Sequence, residues 1–329
     1  MTNFFKIVGV LFFCVILSNC QKSDSATVSI RDYSDQYKAD IVLIEAYLKT
    51  HKFSVDADQN VTFSDASADG SDAIWHNPNL TSRVVTYNNV DHTVYYVKLQ
   101  DGVGESPTNV DNALVAYKGI GLDGTVFDFN NNPTIPLYLP GTIVGWSEIL
   151  PKFKTGTITD NINNGTSTYA NFGAGIMFLP SGVAYFNNAL TNLTSYSPII
   201  FTFKLYNVSR NDQDGDTIPS YLEDIDGDGY LYNLASGVAN PDDTDHDGIP
   251  NFLDTDDDGD LQLTKSEVRY LDSRGDVRFY PYQGVTVDNP LTLYVDESKG
   301  IPSRTGTAPN FIIDYTTPTR LRRHLDPTW

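Results

Sequence analysis

The spacing of apolar residues predicts one helix near the N-terminus of the chain. Between residues 33 and 50, apolar side chains recur at intervals of three and four, which places them on one helical face. They are Tyr33, Tyr37, Ile41, Ile44, Tyr47 and Leu48. Residues 54–90 alternate short apolar and polar stretches without a sustained period, so we expect loop with irregular strand there.

From residue 94 onward the pattern changes to short apolar runs separated by turn residues. The predicted strands are residues 94–99, 113–117, 126–128 and 198–206, and residues 146–153 are predicted to form a short helix. Tyr, Thr, Asn, Gly and Pro are abundant in this part of the chain, which favours a β-rich structure. The pattern therefore predicts an α+β fold with few helices.

Length and charge limit the functions that need to be considered. A chain of 329 residues is long enough for two or three structural units. The formal net charge is −20, and most of the acidic excess lies between residues 212 and 267. Such a field repels nucleic acid and attracts cations, so nucleic-acid binding is disfavoured.

The first nineteen residues have the features of a secretion signal. Lys6 is followed by an uncharged apolar run at residues 7–17, which is short for a membrane span. Residues 17–20 (LSNC) resemble a bacterial lipobox, in which the cysteine is acylated and becomes the mature N-terminus. The alternative is an ordinary cleaved signal with Cys20 incidental. Cys20 lies where the apolar run gives way to polar residues, which favours the lipoprotein.

Cysteine content agrees with this interpretation. The chain has two cysteines, Cys14 within the signal and Cys20, so the mature chain has no pair for a disulfide. Several acyl chains on one cysteine would anchor the protein stably to a membrane. We therefore expect a lipid-anchored protein of the bacterial cell envelope, at the outer membrane, with either the periplasmic or the outer face possible.

An ordered series of short motifs follows in the middle of the chain. Each motif alone is weak, and their common order makes chance similarity improbable. The motifs are residues 115–119 (VAYKG), 122–124 (LDG), 127–128 (FD), 142–146 (TIVGW), 179–185 (LPSGVAY) and 201–205 (FTFKL).

Residues 92–209 resemble the FK506-binding protein (FKBP) family of peptidyl-prolyl cis–trans isomerases through these motifs. The resemblance implies a twisted antiparallel β-sheet wrapped around one short helix, and catalysis without a cofactor. It also implies the roles of the pocket residues. Trp146 would form the floor under a substrate proline, with Tyr117, Phe127, Ile143 and Phe201 as walls. Asp128 and Tyr185 would make polar contacts at the rim, and the Ile143 N–H would bind a substrate carbonyl.

The same residues have a simpler interpretation outside the resemblance. Aromatic residues on strands are usually core residues, and Asp128 could cap a turn. The chain also departs from the family pattern. A basic residue that often follows Phe-Asp is absent from residues 129–132 (FNNN), and residues 157–175 form an insertion. This insertion could be a recognition loop or a passive extension.

The acidic segment contains carboxylates in register. Residues 212–223 (DQDGDTIPSYLE) recur as residues 243–254 (DTDHDGIPNFLD), and residues 224–229 are echoed at 254–259. Carboxylates at positions 1, 3, 5 and 12 with glycine near position 6 are what an oxygen-lined Ca²⁺ loop needs. The predicted ligands are Asp212, Asp214, Asp216, Glu223, Asp224, Asp226, Asp228, Asp243, Asp245, Asp247, Asp254, Asp256 and Asp258.

This segment resembles thrombospondin type 3 repeats, which implies structural calcium. An EF-hand is less favoured, because a last loop that starts at Asp254 has Lys265 at position 12 and Glu267 two residues late. The alternative is a solvated acidic linker. In the calcium interpretation, the isomerase core is expected to stay folded and active without metal.

These features divide the chain into five regions with three candidate functions. The regions are a signal (1–19), a tether with a helical N-terminal part (20–91), the isomerase domain (92–209), the Asp-rich repeats (210–267) and an extended C-terminal region (268–329). The leading function is a lipid-anchored isomerase that acts on proline-containing exported proteins. The alternatives are a binding module for proline-containing peptides with little turnover, and a calcium-stabilised structural or adhesion lipoprotein.

Overall fold

The computed structural model describes residues 29–161, 165–272, 274–284 and 299–329. The predicted signal and Cys20 lie outside the described residues. Within the described ranges, no helix is both long enough and apolar enough to span a membrane.

Three α-helices are present in the described residues, and the N-terminal one has the bounds that the apolar spacing predicts. They are α1 (Tyr33–Thr50), α2 (Val144–Ile149) and α3 (Thr264–Glu267). The strands are β1 (His51–Val55), β2 (Val61–Asp65), β3 (Leu80–Tyr87), β4 (Val90–Gln100), β5 (Asn112–Gly121), β6 (Val126–Asn130), β7 (Leu137–Tyr138), β8 (Thr157–Asn161), β9 (Thr166–Ala170), β10 (Gly173–Leu179), β11 (Ile199–Ser209), β12 (Arg269–Leu271), β13 (Val277–Phe279), β14 (Ser303–Thr305) and β15 (Ile312–Asp314).

A seven-stranded antiparallel sheet forms the centre of the fold. Its strand order is β3-β4-β10-β11-β5-β6, and β7 pairs with β5. The insertion at residues 157–175 contains the β8–β9 hairpin. The structure is therefore sheet-rich with few helices, as the sequence predicts, and α2 packs against one face of the sheet through Trp146 and Ile149.

Both faces of the sheet are buried, which explains the uninterrupted apolar sequence of β10. Successive side chains of a strand point to opposite faces. Met177 and Leu179 enter the core beneath α2, while Ile176 and Phe178 enter a second core beneath α1. Helix α1 contributes Ile44, Tyr47 and Leu48 to that second core.

The sequence predicts loop with irregular strand across residues 54–90, and β3 is instead a regular strand of the sheet. This edge strand pairs with β4 along its whole length, so the sheet begins before residue 92. Only Val85 of β3 is fully buried. A mostly polar edge strand gives little alternation of apolar and polar residues, and for this reason its sequence resembles a loop.

The Asp-rich residues after 210 contain short turns and α3 rather than strands, and they pack against the sheet domain. Val110 of that domain forms a small core with Leu231 and Phe252. Further on, Ile218, Val268 and Ile301 join the Asp-rich segment to the C-terminal region. Among the described residues, the two main cores of the sheet contain no residue of the Asp-rich segment, and Val110 adds one apolar contact with it.

Candidate functional site

A cavity of about 260 Å³ lies where α2 begins beside β5, β6 and β11. It is lined by Tyr117, Asp128, Leu137, Gly141, Thr142, Ile143, Trp146, Tyr185 and Phe201. The structure therefore brings together every residue that the resemblance assigns to the pocket except Phe127, whose ring contacts those of Phe201 and Tyr185. No sequence signal had singled out Leu137, Gly141 and Thr142 as lining residues.

The aromatic rings form one edge-to-face cluster. The Trp146 ring lies 4.8 Å from that of Phe201 and 5.6 Å from that of Tyr117, between centroids. Phe127 stands edge-on to Phe201 at 5.5 Å and to Tyr185 at 5.9 Å. Such pairs favour fixed ring orientations. Trp146 is only 4% exposed, so it belongs to the core and to the cavity lining at once.

Glycine at position 119 makes room for two of these rings. A Cβ atom there would lie 2.6 Å from Cζ of Phe127 and 2.7 Å from Cε1 of Phe201. Any side chain would displace both rings. The glycine of the VAYKG motif is thus a packing requirement of the cavity.

On its polar side the cavity is lined by two side chains from adjacent strands that are joined by a hydrogen bond. The Tyr117 hydroxyl donates to Oδ2 of Asp128 at 3.0 Å. Burial, followed by this bond and the negative charge of Asp128, raises the pKa of Tyr117 to about 12. Burial and Asp128 also raise the pKa of Tyr185. Both hydroxyls therefore keep their protons at neutral pH and can donate hydrogen bonds.

Ile143 lies at the start of α2, as its N-cap residue, and its backbone is extended. The N–H of an N-cap residue lies outside the hydrogen-bond ladder of its helix. Ile143 also lines the cavity.

Helix α1 holds the turn that carries Tyr185, a role that the sequence analysis did not identify. The buried Asp40 carboxylate accepts hydrogen bonds from N and Oγ of Ser181 at 2.7 and 2.6 Å. Tyr33 stacks on Phe186 at 3.8 Å between ring centroids, and Phe186 has a positive φ of 45°. These contacts fix a left-handed backbone conformation next to Tyr185.

Residues of the Asp-rich segment also form hydrogen bonds with helix α2. The Tyr232 hydroxyl donates to the Glu148 carboxylate at 2.9 Å, and the Tyr230 hydroxyl donates to the Glu148 carbonyl at 2.7 Å. Arg83 of β3 completes the group with a bond to Oε2 of Glu148 at 2.8 Å. Glu148 is two residues from Trp146, so the cavity floor and the acidic segment share one short helix.

The Asp-rich segment folds into four loops with the same backbone turn: residues 212–223, 224–230, 243–254 and 256–267. In each loop, counted from its first aspartate, the backbone N–H of the residue at position 6 donates to the aspartate at position 1 at 2.9–3.1 Å. The backbone N–H of the residue at position 7 donates to the aspartate at position 5, at 2.7 Å in every loop. The sixth residue always has a positive φ, including the non-glycine residues Thr217 and Leu261. We refer to these as loops 1 to 4.

The fourth loop begins at Asp256, which corrects the register expected from the sequence. Counting from Asp256 places Glu267 at position 12, where a carboxylate is needed, and Lys265 is not at that position. Asp254 is position 12 of loop 3. The presence of Lys265 is therefore no argument against an EF-hand-type loop, because Lys265 is not at position 12.

Carboxylates from these loops converge into four groups, with ligand oxygens within 4.8 Å of one another in each. The groups are Asp214, Asp216, Glu223 and Asp257; Asp224, Asp226 and Asp242; Asp243, Asp245 and Asp247; and Asp256, Asp258 and Asp260. Asp212, Asp228 and Asp254 are predicted ligands outside these groups. Asp242, Asp257 and Asp260 are members that the sequence analysis missed.

Two carboxyl groups of the first group, those of Glu223 and Asp257, have strongly raised pKa values. Burial, followed by the charges of Asp257 and Asp216, raises the pKa of Glu223 to about 11. Burial and the charges of Asp216 and Asp214 raise the pKa of Asp257 to about 9. Buried carboxylates with no cation beside them favour the protonated form.

Comparison with known proteins gives partial similarities. Residues 213–294 match the family model described as BamM C-terminal. The chain is 42% identical over 65 residues to the peptidyl-prolyl cis-trans isomerase Mip of Coxiella burnetii, covering 19% of this chain and 28% of that protein. It is 36% identical over 63 residues to the FKBP-type peptidyl-prolyl cis-trans isomerase FkpA of Escherichia coli K12, covering 18% and 23%. The chain thus spans about a quarter of the length of these relatives.

Two solved structures are also similar to the chain. A peptidyl-prolyl cis-trans isomerase from Pseudomonas syringae pv. tomato aligns at 17% identity with a TM-score of 0.35, covering 55% of this chain and 99% of that one. FkpA from Escherichia coli aligns at 25% identity with a TM-score of 0.31, covering 41% and 53%.

Proposed function

We propose that the chain is an FKBP-type peptidyl-prolyl cis–trans isomerase that assists the folding of exported proteins. The observation that carries this proposal is the convergence of Tyr117, Asp128, Ile143, Trp146 and Phe201 on one small cavity. The identity of 36–42% with isomerases over 63–65 residues supports it.

The chemistry needs no nucleophile and no metal. Rotation about the peptide bond is opposed by a barrier of about 18–20 kcal/mol, because the C–N bond has partial double-bond character. An apolar cavity disfavours the charge-separated planar amide relative to the twisted amide, which has less resonance. In this cavity, Trp146 receives the proline ring, and the Ile143 N–H holds the preceding carbonyl.

A binding module that captures proline-containing peptides is the second candidate. It is favoured by the environment of Asp128, whose carboxylate accepts a hydrogen bond from the neutral Tyr117 hydroxyl. A protease-coupled isomerisation assay on residues 21–329, run alongside peptide-binding calorimetry, separates the two. Binding without turnover above the uncatalysed rate would establish the binding module and contradict the isomerase.

We also propose that Cys20 is acylated and holds the protein at the outer membrane. The lipobox-like residues 17–20 support this anchor. The mature protein should partition into detergent, and Cys20→Ser should release it to the soluble fraction. A wild-type protein that is soluble and carries an unmodified Cys20 would contradict the anchor.

The four loops are proposed to bind structural Ca²⁺. Their donors are carboxylate oxygens, which hard cations prefer, and several are buried without a hydrogen-bond partner, including both oxygens of Glu223 and of Asp257. The residues therefore fit the ion. Mg²⁺ should substitute poorly, because it demands a tight octahedral shell and gives up water reluctantly. Calorimetric titration with both ions tests this, and a lack of saturable Ca²⁺ binding at millimolar concentration would leave an acidic linker.

A further inference from the structure

Asp257 lies outside the ligand pattern of its own loop. It is the second residue of loop 4, whose aspartates Asp256, Asp258 and Asp260 form a separate group. The Asp257 carboxylate instead lies with Asp214, Asp216 and Glu223 of loop 1, with ligand oxygens within 4.8 Å of one another. One carboxylate cluster is therefore assembled from two loops that are distant in sequence.

The burial of this cluster points to a cation. Glu223 is 3% exposed, Asp257 2% and Asp216 1%. Among the described residues, neither oxygen of Glu223 or of Asp257 accepts a hydrogen bond, and Oδ2 of both Asp214 and Asp216 is also without a partner. Buried charges are normally paired or coordinate a metal, because leaving them bare is costly. The strongest electrostatic neighbours of Glu223 are other carboxylates, which cannot serve as its partners.

We propose that Asp257 is a calcium ligand of loop 1, so that a single ion bridges loops 1 and 4. This inference rests on the proposed calcium sites and adds to them a ligand that the repeat pattern does not supply. Loop 1 contributes Asp214, Asp216 and Glu223, and loop 4 contributes Asp257 while its own three aspartates hold another ion. Carboxylates that converge from two segments suit the flexible shell of six to eight oxygens that Ca²⁺ takes.

Packing around the cluster shows what the bridge would hold together. Lys265 of loop 4 donates to the Gly215 carbonyl of loop 1 at 2.9 Å, a second contact between the same loops. Beside it, Ile218 of loop 1 packs with Val268 and with Ile301 of the C-terminal region. The ion would therefore fasten loop 1, loop 4 and the C-terminal region into one unit.

The test is a double-mutant cycle in calcium titrations of residues 21–329, which retain every described residue. Asp257→Asn and Glu223→Gln should each lower the affinity of one site about tenfold or more. Combining them should still weaken a single site and leave the other sites unchanged, because both act on the same ion. Asp257→Asn with Glu267→Gln should instead weaken two sites independently. Asp260→Asn, in the same loop and with the same change of charge, should affect only the ion of loop 4.

Thermal melting provides a second readout that distinguishes a ligand from a packing residue. In chelator, Asp257→Asn should melt no lower than the wild type, because asparagine keeps the size of the side chain and removes one acidic group from the cluster. With calcium it should melt lower, because the bridged ion is weakened. A packing role would lower both melting temperatures and would overturn the bridge, as would a finding that Asp257→Asn and Glu223→Gln weaken two different sites. A wild type that binds calcium nowhere would overturn the calcium proposal together with the bridge.

Discussion

The Tyr117 hydroxyl donates a hydrogen bond of 3.0 Å to Oδ2 of Asp128 across neighbouring strands, at the rim of the cavity that Trp146 closes from below. The four residues that follow Asp128, residues 129–132, carry no charge. A neutral donor orients the carboxylate without cancelling its charge. Asp128 therefore keeps its capacity to accept a hydrogen bond from a bound peptide.

Removing this donor should weaken catalysis while leaving the fold intact. A hydrogen bond to a charged group contributes about 1.5–3 kcal/mol, so Tyr117→Phe should lower kcat/KM by about 10- to 100-fold. Asp128→Asn should have an effect of similar size, and the double variant should be little worse than either single variant. Tyr138→Phe is the matched control, because Tyr138 is exposed and lies outside the cavity. Equal activity of Tyr117→Phe and the wild type would contradict a role for the pair.

Trp146 should matter to both stability and activity, since it is only 4% exposed and contacts Phe201 and Tyr117. Trp146→Ala should destabilise the protein by ~3–5 kcal/mol through the cavity that it leaves. Trp146→Leu retains more volume and should fold, yet lose most isomerase activity because the flat floor is gone. Chemical denaturation and activity measured on the same samples separate the effects. An active Trp146→Leu variant would show that the ring is only a core residue.

Helix α1 should affect the cavity through Asp40, which is fully buried and accepts two hydrogen bonds from Ser181. Asp40→Ala leaves these donors unpaired at a cost of about 1–3 kcal/mol each. The turn that carries Tyr185 should then loosen, and KM for a peptide substrate should rise. Asp35→Ala is the control on the same helix, because Asp35 is exposed and its carboxylate pairs with Lys38 on the surface. Loss of stability with an unchanged KM would limit α1 to a structural role.

Calcium removal should destabilise the sheet domain, because Tyr230 is the last residue of loop 2, Tyr232 follows the loop, and both donate hydrogen bonds to Glu148 of α2. When chelation opens the loop, Glu148 loses these donors, and the domain should be destabilised by about 1–3 kcal/mol. Tyr232→Phe should reproduce part of this loss in the presence of calcium. Tyr87→Phe, at an exposed position, should not. Hydrogen exchange of the α2 amides measures the effect, and identical exchange with calcium and with chelator would contradict this coupling.

The sequence predicted the elements whose signals are local and repeated. The spacing at residues 33–50 marks α1, and the ordered motifs locate the cavity residues. The role of α1 was missed although a signal existed, because Gln36 and Asp40 lie on the same helical face as Ile44 and are buried with it. Polar residues on the buried face of a helix indicate hydrogen-bond partners elsewhere in the fold.

The acidic loops show where sequence reasoning reaches its limit. A run of aspartates at residues 254–260 permits two registers, and Leu261 occupies the position where glycine is expected. Only the backbone turn distinguishes the registers. Asp242 and Asp257 join their groups through tertiary contacts, which no periodic pattern along the chain encodes.

The most direct test of the account is the rate of prolyl isomerisation catalysed by residues 21–329, measured by a protease-coupled assay beside Trp146→Leu. The account predicts that the wild-type protein accelerates cis-to-trans conversion in proportion to its concentration, and that the folded Trp146→Leu variant loses most of this acceleration. A folded wild-type protein that leaves the uncatalysed rate unchanged, or an equal rate from the two proteins, would contradict it.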